Sequence, residues 1–443
     1  MEPPAIDILE TPSLEELHEA WPVLSETERV EGFRLLPREQ AEEYFGQLPT
    51  HDQTNLIWAL PAGERRSWMR LLAPDDAADV VQAAEQAYRE PLLALLDEPT
   101  RKEVMALLAY AEDDAGGLMN PRFARVRPDM LTDEAISYLR KQTRDRVETM
   151  YYVYVLDSAQ RLQGVVSFRD LFSAQGSRRV AEIMRTELVT VPEHLDQEAV
   201  SHLFAQHGLV AMPVVDADGR MKGIVTLDDI VDVVREEATE DIQKFGGMEA
   251  LDHPYLQVGL LKMLQKRAGW LSILMIGEMF TTTVVDFFES ELQRAVLLSA
   301  FIPLIISCGG NSGGQASTLV IRAMTLGQVR LRDWWRVVQR ELISGLALGC
   351  ILGTLGFIRI IIWHFMLGHY GEHYLLLAAT IATSLVGVVM FGTLAGSTLP
   401  FVMQGLGFDP ASASAPFVAT LADVTGLIIY FMTASVILRG SLL

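Results

Sequence analysis

Residues 373–408 read HYLLLAATIATSLVGVVMFGTLAGSTLPFVMQGLGF and contain no Asp, Glu, Lys or Arg. About 20 apolar residues cross a bilayer as a helix, so this run predicts a transmembrane helix. We expect Pro400 to end it, because proline cannot continue the helical hydrogen bonding. Four other runs with few charges predict further spans at 270–288, 295–321, 342–367 and 410–438. The sequence therefore predicts an all-α membrane domain with five transmembrane helices over residues 268–443.

Most of the charge of the chain precedes this membrane domain. Residues 1–267 contain 48 acids and 28 bases, a net charge of −20, whereas residues 268–443 contain nine acids and eight bases. So acidic a segment would repel the phosphates of nucleic acid. We therefore expect cations, and no nucleic acid, as partners of the first 267 residues.

The basic residues predict how the spans are oriented. Lys262, Lys266 and Arg267 precede the first span, five arginines follow the second span, and the loop at 368–373 has no Lys or Arg. Loops rich in Lys and Arg usually stay in the cytoplasm. The first residues, MEPPAIDILE, also lack the pattern of a signal peptide. We expect a multi-pass protein of the cell membrane, with cytoplasmic N-terminal domains and its C-terminus outside.

An internal repeat lies in the soluble part. VYVLDSAQRLQGVVSFRDL (153–171) aligns with MPVVDADGRMKGIVTLDDI (212–230) at a constant offset of 59 residues. Each copy has the pattern of a strand, a turn, a strand and a helix capped by an acidic residue. The repeat predicts two α/β modules, over residues 118–180 and 181–235.

The segments on either side of this repeat are predicted to be helical. Residues 1–117 have apolar residues at helical spacing, and prolines after Leu, Ala or Glu divide them into short stretches. We expect these prolines to end the helices of an α-helical superhelix, whose hand the sequence leaves open. Residues 236–267 predict one long connecting helix, the plug helix, after a break at Gly246–Gly247.

Two polar segments lie within the predicted spans. Asp423 lies in PFVATLADVTG (416–426), and SCGGNSGGQAS occupies residues 307–317. A carboxylate at this depth is costly and usually faces protein or water, so Asp423 is predicted to lie on an ion path; hydrogen bonding between helices is the alternative. Four glycines beside Asn311 and Gln315 predict an irregular backbone lining a pore. Close helix packing is the alternative, and it explains the glycines alone.

The whole chain resembles the MgtE-type magnesium transporter family. The resemblance rests on LLALLDEPTRKEVMALLAYAEDDAGGLM (92–119), the paired modules, EATEDI (237–242), GGNSGGQAS (309–317) and PFVATLADVTG. It implies a homodimeric, non-enzymatic, Mg²⁺-selective channel that cytoplasmic Mg²⁺ closes. Asp423 would be the pore carboxylate of each protomer, Asp409 would mark the inner mouth, and Asn311 would line the pore. Ala415, where the family often has Asn, and Gly314 leave fewer polar groups near the pore.

The resemblance also implies an acidic Mg²⁺ sensor between the N-domain, the second module and the plug helix. For any one of these residues, a solvated acidic surface is the alternative. As a set, unpaired carboxylates within a Debye length of about 8 Å would repel one another until Mg²⁺ neutralised them. The matching residues are Glu43, Asp75, Asp79, Asp196, Glu198, Asp229, Asp232, Glu237, Glu240 and Asp241.

The paired modules resemble those of the cystathionine-β-synthase (CBS) type, which often bind nucleotides. Arg169 and Asp170 stand where such modules commonly hold a ribose or phosphate, which makes ATP a possible ligand.

The energetic argument does not exclude a second class of transporter. The membrane potential supplies about 4.6 kcal/mol per divalent ion at 100 mV, from about 2.3 kcal/mol per charge, so a channel needs no other energy source. An ion-coupled secondary transporter of Co²⁺ or Mn²⁺ is the alternative.

Overall fold

The computed structural model describes residues 13–142, 147, 149, 151–251, 255, 258–294, 296–368 and 370–439. The chain forms two compact units that meet in sequence between Glu236 and Glu237. The first unit contains a helical N-domain and two small sheets, and the second contains the long apolar helices. The predicted fold class is confirmed.

From residue 13 onwards, where the structure describes it, the N-domain contains eight short α-helices. Pro37, Pro49 and Pro61 are the N-cap residues of α3, α4 and α5, and Pro74 is the first residue of α6. We expected the prolines to end helices, but they begin them, because the fixed φ of proline suits the first turn and its missing N–H needs no partner there. The helices are α1 Leu14–Ala20, α2 Glu26–Leu35, α3 Arg38–Gln47, α4 Thr50–Ala59, α5 Ala62–Met69, α6 Pro74–Ala83, α7 Gln86–Leu93 and α8 Glu98–Leu107.

The two modules have the same sheet topology, with order β1-β2-β3 in the first and β4-β5-β6 in the second. Val153 pairs with Val166 in the first sheet and Met212 with Val225 in the second, so the offset of 59 holds for both partners. The predicted repeat is therefore confirmed at the level of strand register. The elements are α9 Ala115–Leu118, β1 Arg125–Val126, α10 Thr132–Gln142, β2 Tyr152–Leu156, β3 Leu162–Ser167, α11 Phe168–Ser173, β4 Val191–Pro192, α12 Gln197–His207, β5 Ala211–Val215 and β6 Met221–Thr226.

The connecting helix differs from the prediction. Helix α13 is Leu227–Phe245; it begins directly after β6 and ends before the two glycines. Gly247 has φ +73°, and a Cβ there would lie 2.8 Å from Trp270 Cδ1, so the turn that ends the helix requires glycine. The next helix begins only at Leu260. Residues 236–267 are thus not one helix.

Five helices of the second unit are long and apolar enough to cross a membrane, as predicted. Pro400 does not end its helix; α18 continues to Gly405, and Pro400 is buried among its neighbours. Packing of this apolar helix therefore overrides the local preference of proline. The helices are α14 Leu260–Phe287, α15 Glu289–Arg294, α16 Ile302–Thr325, α17 Trp334–Leu367, α18 Tyr374–Gly405 and α19 Ala415–Ile437.

The glycine-rich segment of α16 is regular helix, so the predicted irregular backbone is wrong. A Cβ on Gly309 would lie 2.8 Å from Val388 Cγ1, and one on Gly313 would lie 2.7 Å from Val418 Cγ1. The glycines let α18 and α19 approach α16 closely, as small residues do in membrane helices. The close-packing alternative explains them.

Candidate ion and nucleotide sites

Asp423 is half-buried on α19. A Cβ added to Gly310 of α16 would lie 3.8 Å from Asp423 Oδ1, which places the carboxylate beside the glycine-rich segment. Asn311 follows Gly310 and donates its amide to Ser307 Oγ at 3.2 Å. The structure therefore brings the Asp423 carboxylate to the segment that contains Asn311.

A second carboxylate lies near Asp423. Glu278 of α14 follows Gly277, where an added Cβ would lie 2.7 Å from Thr420 Cγ2 on the helix that carries Asp423. Glu278 was not among the residues that the sequence predicted to lie on the ion path. A charged residue inside a span was the signal that could have identified it.

Both carboxylate oxygens of Asp409 accept hydrogen bonds. Its Oδ1 accepts a hydrogen bond from the Ala411 backbone N at 2.8 Å, and its Oδ2 accepts one from Lys244 Nζ at 2.7 Å. Lys244 is also paired with Glu240, one turn earlier on α13. Burial lowers the pKa of Lys244, but its hydrogen bonds to Asp409 and Glu240 outweigh this effect and raise it. Lys244 therefore remains a cation between two carboxylates.

Asp241 lies close to the same group. Burial raises its pKa to about 6, with a further contribution from the charge of Asp409, while Lys244 acts in the opposite direction. Of the predicted sensor residues, Glu240 and Asp241 thus surround Lys244 in the second unit. Glu237 is half-buried on the preceding turn of α13.

In the first unit, acidic side chains of α6 approach those of α13. Burial, with the charges of Asp76 and Asp229 acting in the same direction, raises the pKa of Asp79 to about 8. Burial also raises the pKa of Asp229 to about 7, against hydrogen bonds from Thr226. The pKa of Asp76 is raised by burial and by Asp228 and Asp232. We call this group the acidic face: Asp76, Asp79, Asp228, Asp229, Asp232 and Glu236.

Three members of the acidic face were predicted from the sequence, namely Asp79, Asp229 and Asp232. The other three were missed, although residues 228, 232 and 236 are spaced four apart and so lie on one side of α13. Among the described residues, no three His, Cys, Asp or Glu side chains are arranged tightly enough to hold a metal ion by themselves. The acidic face concentrates negative charge without forming a closed cage.

The remaining predicted sensor residues have other roles or positions. Asp75 is buried and accepts a hydrogen bond from Asn120 Nδ2 at 3.0 Å. Asp196 caps α12 through the backbone N of Glu198, and Glu198 lies 3.8 Å from His202. Glu43 is exposed on α3. The structure does not place these four in the acidic face.

Arg169 and Asp170 line a cleft of about 740 Å³ in the paired modules. Aromatic side chains of β2 and α11 and a second arginine, Arg185, also line it. Arg185 Nη2 lies 3.9 Å from Asp170 Oδ2. The cleft therefore combines apolar walls with two cationic side chains.

Comparison with known proteins covers nearly the whole chain. Residues 302–433 match the MgtE model, described as a divalent cation transporter, residues 13–113 match the MgtE intracellular N domain, and residues 115–177 and 180–236 match the CBS domain. The magnesium transporter MgtE of Thermus thermophilus is 40% identical over 437 residues, which are 98% of this chain and 95% of that protein. That of Enterococcus faecalis is 34% identical, covering 76% and 72% respectively.

A solved structure is also similar to the soluble part. The cytosolic domain of the Mg²⁺ channel MgtE in complex with ATP is 41% identical, with a TM-score of 0.47, over 51% of this chain and 92% of that one. The extent of the match to full-length relatives confirms the resemblance inferred from the sequence. The chain therefore belongs to the MgtE family of divalent cation transporters.

Proposed function

We propose that this protein conducts Mg²⁺ across the membrane along a path that passes Asp423. The observation that carries the proposal is a half-buried carboxylate inside a membrane helix, beside Gly310 and the Asn311 segment of α16. Ionisable residues at such depth are costly and usually face the interior of the helix bundle or a water-filled path. Its relatives are magnesium transporters.

The chemistry of the path suits Mg²⁺. Mg²⁺ releases its water reluctantly and prefers oxygen ligands, so Asp423 would hold the hydrated ion through bound water. We propose a homodimer in which each protomer contributes one Asp423. Two carboxylates would then balance the charge of one divalent ion.

Flux measurements test this role of Asp423. In proteoliposomes with an inside-negative potential, Asp423→Asn removes the charge and should abolish Mg²⁺ uptake. Glu372→Gln is the matched control, because Glu372 is an exposed acid of the outer loop, and it should transport normally. Uptake by Asp423→Asn at the wild-type rate would refute the proposed path. Uptake that depends on a proton gradient would instead favour an ion-coupled transporter.

We further propose that cytoplasmic Mg²⁺ closes the path. It would bind to acidic residues of the first unit, which we call the soluble unit, and of α13. The acidic face supports this, because burial, and after it the negative charge of neighbouring carboxylates, raises the pKa values of Asp79 and Asp229. A hydrated divalent cation would neutralise that charge and draw α6 and α13 together. At low Mg²⁺ repulsion would separate them. Glu237, Glu240 and Asp241 would act on the later turns of the same helix.

We propose that the soluble unit is cytoplasmic and that the C-terminus lies outside, since five spans place the chain ends on opposite sides. Labelling of a cysteine introduced at Arg439 by an impermeant reagent in intact cells tests this orientation, in a background with Cys308 and Cys350 replaced by alanine. Labelling only after the cells are permeabilised would contradict it.

A nucleotide is a second proposed ligand, and the cleft at Arg169 supports it. Its volume of about 740 Å³ and its two arginines suit an aromatic base with a phosphate group. Titration of the purified protein with ATP should show saturable binding that Arg169→Ala weakens. Arg178→Ala removes an exposed ion pair with Glu182 and should leave binding unchanged. Equal affinities for all three proteins would refute the site.

A further inference from the structure

Helices α14 and α19 lie side by side, and a hydrogen bond between Trp270 and Ser414 joins them. Trp270 Nε1 donates to Ser414 Oγ at 3.2 Å, and the rings of Trp270 and Phe417 lie 6.2 Å apart. Ser414 is the N-cap of α19, and its hydroxyl accepts a hydrogen bond from the Phe417 backbone N. Trp270 on α14 and Ser414 at the start of α19 therefore lie at the same height along the two helices.

A second contact shows that they remain adjacent further along. A Cβ added to Gly277 would lie 2.7 Å from Thr420 Cγ2, closer than real side chains approach. Gly277 has no side chain, and Thr420 of α19 occupies the space that a side chain there would need. Glu278 follows Gly277 directly, and Asp423 follows Thr420 by three residues.

The helix rise places the two carboxylates at one depth. Glu278 is eight residues beyond Trp270, and Asp423 is nine residues beyond Ser414. At 1.5 Å per residue these steps are about 12 Å and about 13 Å. Both carboxylates are therefore at nearly the same distance from the Trp270–Ser414 contact, on two helices that are long and apolar enough to cross a membrane.

Within the part of the chain that the structure describes, no hydrogen bond or ion pair reaches Glu278 or Asp423. Glu278 is exposed on a helix whose apolar window is only 6% buried. A carboxylate in that position would face lipid at high cost unless it lines an aqueous path or a subunit contact. Repulsion between two such charges is relieved by a cation that lies near both.

We infer that Glu278 is a specificity-determining residue of the ion path, which with Asp423 makes the path prefer divalent over monovalent cations. The inference rests on the proposed function, because it assumes that ions pass Asp423. A divalent ion interacts twice as strongly as a monovalent one with every negative charge it passes, so each additional carboxylate increases the preference. At about 6 Å in water, one carboxylate contributes about tenfold to the affinity for a divalent ion.

Replacement of Glu278 tests the inference. Glu278→Gln in proteoliposomes should raise the half-saturating Mg²⁺ concentration about tenfold and lower the preference for Mg²⁺ over Na⁺ or K⁺ about threefold. Glu278→Asp keeps the charge and should retain the wild-type preference. Asp286→Asn, on the same helix two turns later, is the matched control and should behave as wild type. Asp423→Asn is measured alongside.

The outcomes separate this inference from the proposed function. If Asp423→Asn is inactive while Glu278→Gln keeps wild-type selectivity and half-saturation, Glu278 has no such role and the proposed path stands. If Asp423→Asn transports normally, the proposed function itself is wrong.

If Glu278→Gln does not assemble, a measurement on the wild-type protein tests the inference instead. A membrane-permeant carbodiimide labels carboxyl groups within the bilayer, and mass spectrometry locates the adduct. Labelling at Glu278 that Mg²⁺ suppresses and Na⁺ does not would support the role. Labelling that Mg²⁺ leaves unchanged would overturn it.

Discussion

The ammonium group of Lys244 lies 2.7 Å from the Asp409 carboxylate, and this ion pair attaches the end of α13 to the loop before α19. The neighbouring residue, Phe245, packs against Ile321, Ala411 and Ala413. The other Asp409 oxygen caps the short turn at Pro410–Ser412. Asp409 therefore accepts an internal cation in the arrangement seen here. If α13 moved away, the same carboxylate would become available to another cation.

Removal of this ion pair should favour the open channel. Lys244→Met keeps the length of the side chain and loses the charge, so the end of α13 is held less firmly. We expect currents to persist at cytoplasmic Mg²⁺ concentrations that close the wild type. Patch recordings with Mg²⁺ varied on the cytoplasmic face measure this.

Two further variants control for a general loss of structure. Lys222→Met removes a lysine paired with Asp216 in the soluble unit and should close normally. The exchange Lys244→Asp with Asp409→Lys restores opposite charges and should recover part of the closure. Normal closure of Lys244→Met would show that the ion pair does not hold α13.

Neutralising the acidic face should make the channel insensitive to cytoplasmic Mg²⁺. The combined variant Asp76→Asn, Asp79→Asn, Asp229→Asn and Asp232→Asn removes both the repulsion and the Mg²⁺ ligands. Bridging by Mg²⁺ should be the stronger effect, so we expect the variant to stay open at millimolar Mg²⁺. A permanently closed variant would show that repulsion dominates.

The matched control replaces two other acidic residues that the sequence predicted to belong to the Mg²⁺ sensor. Glu43→Gln with Glu198→Gln changes two residues that lie outside the acidic face and should leave closure unchanged. Loss of closure in that control would mean that total charge, and not the acidic face, sets the response.

The raised pKa values predict a dependence of stability on pH. The pKa values of Asp79 and Asp229 in the folded protein are about 8 and about 7, above an ordinary value of about 4. Such groups bind protons more tightly when folded, so their contribution to the free energy of unfolding falls as the pH rises from about 4 to about 8. Mg²⁺ should therefore stabilise α6 and α13 more at pH 8 than at pH 5.

Hydrogen exchange of the full-length protein, corrected for intrinsic rates, measures that stabilisation. Helix α12 lies in the same unit outside the acidic face and is the internal control. Equal protection by Mg²⁺ at both pH values would contradict the assignment of crowded carboxylates to α6 and α13.

Close packing predicts that Gly392 is sensitive to substitution. A Cβ at Gly392 would lie 2.5 Å from the carbonyl oxygen of Gly309, so Gly392→Ala must separate α16 from α18. We expect a loss of about 1–3 kcal/mol in stability, measured by thermal unfolding in detergent. Gly405→Ala is the control, because a Cβ there meets nothing within 4 Å. Equal stability of the two variants would contradict the packing account.

The sequence predicted features that depend on local pattern. The offset of 59 between the repeats predicted the strand pairing, and the uncharged runs predicted five spans, because both signals repeat along the chain. The role of the α16 glycines was misjudged, since helix contacts decide whether glycine packs or breaks a helix. Glu278 and Asp76 were missed, because the carboxylates near them are on other helices and no periodicity relates them. Lys244 was missed, because Asp409, its partner before α19, is 165 residues away in sequence.

Single-channel recording with Mg²⁺ varied on the cytoplasmic face tests the central claim most directly. We predict discrete Mg²⁺ currents that cease as cytoplasmic Mg²⁺ rises to millimolar levels and that are absent in Asp423→Asn. Saturable Mg²⁺ uptake without unitary currents, driven by a proton gradient and indifferent to cytoplasmic Mg²⁺, would contradict it.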